Sequence, residues 1–94
     1  MFGIKLRELR SSHGLTQIQL AKELGVSKQC VSNWENDNIL PSIDMLIRIS
    51  QYFYVSCDYL LELDNKIYLD VSDITPSQRA IIQKMIQEFK NVNG

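Results

Sequence analysis

Metal-binding and redox-active side chains are scarce in this sequence. Its 94 residues hold two cysteines, Cys30 and Cys57, and one histidine, His13. Two thiols and one imidazole at unrelated spacings do not complete a tetrahedral zinc site, so no metal is expected. A pair of catalytic carboxylates, a nucleophile beside a base and a glycine-rich phosphate loop are missing as well. An enzyme is therefore not expected, nor a cofactor. No apolar run approaches the ~20 residues that cross a bilayer, and no membrane partner is expected. The first residues, Met-Phe-Gly-Ile-Lys-Leu-Arg, enter a charged amphipathic pattern with no hydrophobic signal core. A cytoplasmic protein with reduced thiols is the expectation.

Neither sign of charge is in excess: ten Lys and Arg stand against eleven Asp and Glu, for a net charge of −1. That excludes a strongly basic surface. The distribution is uneven, however. Residues 1–36 carry five cations and three acids (+2), residues 37–65 one Arg and five acids (−4), and residues 66–94 four cations and three acids (+1).

What the chain does have is helical punctuation. Ile4, Leu6 and Leu9 predict the apolar side of a first helix that stops at Gly14, with Leu15 placed for the hydrophobic contact of such a stop. Thr16 and Gln19 form a capping box for a second helix, which carries Ile18, Leu20, Ala21 and Leu24 and ends at Gly25. Ser27 caps a third helix through about Asn36, with Val31 and Trp34 inward. Pro41-Ser42 opens a fourth, with Met45, Leu46, Ile49 and Phe53 at helical period. Ser56 caps a short fifth holding Tyr59, Leu60 and Leu61. The expected organisation is an all-α domain over residues 1–63, a linker over 64–74 and a C-terminal amphipathic helix over 75–94. The linker contains a short alternating Ile67-Tyr68-Leu69 stretch and is free to extend against the domain. Thr75, Pro76 and Gln78 supply the last helix with a second capping box and a proline where its missing N–H costs nothing.

The second and third helices are joined by Gly-Val-Ser, a turn too short to lay them parallel. They must cross steeply, as in a helix-turn-helix. Ala21 is small where the second helix passes close, Gly25 permits the positive φ of the bend, and Val31 is apolar on the inner face of the third. With Val31 and Trp34 turned inward, the opposite face displays Lys28, Gln29, Ser32 and Asn33. These donors and acceptors suit base edges: Lys for guanine O6 and N7, Gln or Asn for adenine N6 and N7, Ser for either. Gln17, in the first turn of the second helix, is placed to join backbone amides on a phosphate.

The chain resembles the Cro and phage-repressor family of helix-turn-helix proteins, the XRE-like regulators. Leu-Arg-Glu-Leu-Arg (6–10), Gly-Leu-Thr-Gln (14–17), Leu-Ala (20–21), Leu-Gly-Val-Ser (24–27), Val-Ser-Asn-Trp-Glu-Asn (31–36) and Val-Ser-Cys-Asp-Tyr-Leu-Leu (55–61) carry the likeness. It implies a five-helix lambda-repressor-like DNA-binding domain and a transcriptional regulator, usually a repressor, of a double-stranded DNA operator. It also implies base reading by Lys28, Gln29, Ser32 and Asn33, and phosphate contacts by Gln17, Thr16, Ser27 and Asn36. Arg10 is expected to pair with Glu35, tying the first helix to the third. The chain departs from the family in the loop Asp37-Asn38-Ile39-Leu40, which lacks the cations that often follow Asn36.

On the last helix, Ile81, Ile82, Met85, Ile86, Phe89 and Val92 fall within an arc of roughly 140°. Such a stripe is expected to be buried, by packing back on the domain or, preferably, by forming a homodimer. A single recognition helix reads only a few base pairs, and a two-fold dimer doubles that. The same stripe leaves a second function class open, an antitoxin or other module that binds a protein partner. Some 30 residues beyond the domain are too few to enclose a usual small-molecule site, so no such ligand is expected.

Overall fold

The computed structural model describes residues 1–63 and 67–93. Six helices follow one another, with no strand among the described residues: α1 (Phe2–Ser12), α2 (Gln17–Leu24), α3 (Lys28–Glu35), α4 (Ile43–Phe53), α5 (Cys57–Leu60) and α6 (Pro76–Asn93). The local signals explain where they begin. Oxygens of Thr16, Ser27, Ser42 and Ser56 each accept a hydrogen bond from the backbone N–H three residues on, which satisfies one of the free donors of a helix start. Thr16 and Gln19 complete the capping box, and Gly25 closes α2 at φ 72°.

One core unites α1 to α5. Leu6, Leu20, Val31, Ile49 and Leu60 are fully enclosed, and Phe2, Ala21, Leu24, Trp34, Phe53, Val55 and Tyr59 complete the cluster. Leu9, Leu15, Cys30, Met45 and Leu46 pack on its edge. Two residues expected inward are not: Ile4 is 55% exposed and Ile18 57%. Helix pitch accounts for both. At about 100° per residue, Ile4 lies on the side of α1 away from Phe2 and Leu6, and Ile18 is set off in the same way from Leu20 and Leu24. Leu61 also differs: it ends α5 as a cap and is 42% exposed.

Among the linker residues, 64–66 lie outside the described part of the chain. Ile67, Tyr68 and Leu69 form no strand and are exposed. The linker meets the domain where Asp70 N donates to the carbonyl of Tyr54 at 3.4 Å. An open groove of about 620 Å³ results, lined by Ser50, Tyr54, Tyr68, Leu69 and Asp73 among others. The tail therefore does shape a concavity, though not an enclosed one. Thr75 and Gln78 form the second capping box, each backbone N–H held by the other's side chain at 3.0 and 3.1 Å. Of the apolar stripe on α6, Ile82 is half-buried, whereas Ile81, Met85, Ile86, Phe89 and Val92 are exposed. No helix among the described residues is long and apolar enough to cross a membrane.

Candidate nucleic-acid interface

The α2–α3 unit is set by its own sequence. Gly25 in the left-handed region turns the chain, and Val26 N bonds back to the carbonyl of Ala21 at 2.9 Å. Ser27 then starts α3 at once. Leu20, Ala21 and Leu24 face Val31 and Trp34 through the core, so the two helices share one buried side. The outer side of α3 is left to solvent. Lys28 and Gln29 are exposed there, and Ser32 and Asn33 are half-buried.

Gln29 and Asn33 lie one turn apart, and Gln29 Nε2 donates to Asn33 Oδ1 at 3.0 Å. Both carboxamides are thus held on one edge of the helix, and each keeps further donors and acceptors for a base edge. At the helix starts, Thr16 and Ser27 use their oxygens as caps while each hydroxyl hydrogen remains available to a phosphate. Asn36 is exposed, receives Arg7 Nη2 at 3.3 Å and donates to Ser32 Oγ at 3.4 Å. No group of three or more metal-ligating side chains is found among the described residues.

Behind this face lies a buried carboxylate. Glu35 has no exposed side-chain surface, and Arg10 grips it twice, Nε to Oε2 at 2.6 Å and Nη2 to Oε1 at 3.1 Å. The Arg10–Glu35 pair is therefore not a loose surface contact. Arg10 Nη1 also holds the carbonyl of Leu15 at 2.8 Å, pinning the α1–α2 turn. Burial pushes the Glu35 carboxyl up, but the hydrogen bonds from Arg10 and Gln17, the Arg10 charge and Arg7 outweigh it, and the net shift is downward.

Three members of this cluster escape sequence reasoning. Gln17, expected on a phosphate, sends its Nε2 to Glu35 Oε1 at 3.1 Å, because α2 begins beside the end of α3. That bond positions the side chain and leaves its second Nε2 hydrogen for a phosphate. Arg7 approaches Glu35 from the wet side at 3.5 Å. Gly3 lies so close to α3 that a Cβ would come within 2.3 Å of the Glu35 carbonyl oxygen, and its N–H is capped by Asp37 Oδ1 at 2.9 Å. Asp37 itself adopts φ 57°, so the loop after α3 turns back on α1.

A helix-turn-helix family model matches residues 6–60. The chain belongs to the helix-turn-helix family. This helix-turn-helix protein is 34% identical over 89 residues to the HTH-type transcriptional regulator ImmR of Bacillus subtilis, a match covering 95% of the chain and 68% of ImmR. It is 41% identical over 68 residues to the HTH-type transcriptional activator BcrR of Enterococcus faecalis, covering 72% of the chain but only 33% of BcrR. In structure it is similar to the P22 c2 repressor, solved in complex with a synthetic operator. That likeness has a TM-score of 0.64 at 33% identity and covers 68% of this chain and 97% of the repressor. The kinship with phage repressors and the five-helix domain suggested by the sequence are both borne out.

Proposed function

We propose that the chain is a sequence-specific, DNA-binding transcriptional regulator, of repressor type, that lays α3 in the major groove and acts as a homodimer. One observation carries this reading. The side of α3 turned away from Val31 and Trp34 presents Lys28, Gln29, Ser32 and Asn33 together, and these side chains add nothing to the core. Base reading falls to these four, and Thr16, Gln17, Ser27 and Asn36 hold the flanking phosphates. Catalysis has no part in it. Dimerisation is assigned to Ile81, Ile82, Met85, Ile86 and Phe89 on α6, because an apolar stripe of this length gains by leaving water. Residues 1–63 are then the DNA-binding unit, 64–74 the linker and 75–94 the dimerisation element.

Selection of bound sites from random DNA tests the reading. It should return a two-fold site with half-sites about one helical turn apart. Gln29→Ala should weaken the selected site by ~1–3 kcal/mol and relax preference at one base pair. Unselected DNA bound as tightly as selected DNA would overturn the assignment. Retention of a copurified protein on α6, with no DNA site recovered, would favour the interaction module instead.

A further inference from the structure

Four large apolar side chains stand in water just beyond α3: Ile39 is 58% exposed, Leu40 67%, Ile43 79% and Ile47 42%. Ile43 and Ile47 lie one turn apart on α4, and Ile39 and Leu40 belong to the loop that leads into it. Their exposed apolar surface sums to roughly 400 Å², within the range of the largest apolar patch on a typical monomer, which is often functional. The same loop has Asp37 and no cation, so it is not built to hold a phosphate. Beside the two isoleucines α4 carries Asp44 and Arg48, both exposed and neither in an ion pair among the described residues.

We infer that this face of α4 docks on the same face of a second copy of the chain, forming a contact separate from α6. The pattern is self-complementary. In an antiparallel two-fold pairing of α4 with its copy, centred between residues 45 and 46, Ile43 of each chain comes level with Ile47 of the other to within about 1.5 Å, one residue of helix rise. Asp44 comes level with Arg48 of the other chain to the same tolerance. Apolar flank meets apolar flank and acid meets base, each contact made twice, as an isologous interface requires. Opposite charges so placed favour this partner and this register over others. The patch is about half of the ~800 Å² that each partner buries in a stable interface, so it is weak by itself. It acts on copies already tethered, and in that respect it rests on the α6 homodimer proposed above.

Sedimentation equilibrium on full-length chains tests the pairing. Asp44→Arg and Arg48→Asp each place like charges opposite one another, and each should raise the dimer dissociation constant about tenfold. An equimolar mixture of the two variants should recover to within about threefold of the parent, because only the mixed dimer restores both ion pairs. Pairing within one chain gives no such recovery, since both variants keep like charges at 44 and 48. Single variants that dimerise like the parent, or a mixture that fails to recover, overturn the α4 contact; a face that binds an unrelated protein gives the first of these results. Phe89→Asp reports on α6 separately. Loss of the dimer there, with Asp44→Arg unchanged, removes the α4 contact alone. Dimerisation of Phe89→Asp like the parent removes the α6 assignment alone, and a parent still monomeric at about 100 µM removes both.

Discussion

Replacing Arg10 by Met keeps most of the aliphatic stem and deletes the charge that compensates Glu35. The structure sets the cost. Glu35 has no side-chain exposure, and Arg10 is itself only 15% exposed, so neither charge is well served by water. Removing one partner of a buried ion pair typically costs ~3–5 kcal/mol, because the other charge is left uncompensated. Here Arg7 and Gln17 still reach Glu35 Oε1, which lowers the expectation to about 3 kcal/mol at pH 7. The carbonyl of Leu15 also loses its donor. The loss should shrink in acid. In the parent the Glu35 carboxyl is held below its ordinary value, so its contribution is present above the unfolded-state value and is lost as pH falls through the folded one. In Arg10→Met burial dominates and pushes the carboxyl up, so protonation relieves the variant at a higher pH than it affects the parent. Urea unfolding followed by fluorescence of the buried Trp34 measures the difference at neutral and acid pH. A loss below about 1 kcal/mol at pH 7, or an equal loss at pH 7 and pH 4, would refute the reasoning.

Gly3→Ala should destabilise the domain by ~1–3 kcal/mol in the same urea assay, since the new methyl meets the α3 backbone and not a flexible side chain. Gln17→Ala should cost ~1 kcal/mol of stability through the lost Glu35 hydrogen bond and, in gel shifts, weaken selected and scrambled DNA by similar factors. The salt dependence of operator binding should be shallow for a dimer of this class. Arg7 and Arg10 are committed to Glu35, and Lys5 Nζ sits 4.5 Å from the Tyr59 ring centre, which leaves few cations to displace counterions. A slope of log K against log salt steeper than about −8 would disprove this.

The helix starts are legible in the sequence because their signals are local. The oxygen of Thr16, Ser27, Ser42, Ser56 or Thr75 reaches a backbone N–H only three residues away, and Gly25 meets a demand of its own backbone. Inward Val31 and Trp34 follow from helical period, and with them the outward set Lys28, Gln29, Ser32 and Asn33. The Arg10–Glu35 tie spans 25 residues and came within reach through family likeness, not through spacing. Only the tertiary structure decides the rest. Gln17 and Arg7 converge on Glu35, and Asp37 caps Gly3, because of where α1, α2 and α3 meet. A carboxylate is costly to bury, and Arg10, Gln17 and Arg7 together compensate Glu35. Which donors are in reach depends on how three helices cross, and no local pattern encodes that crossing.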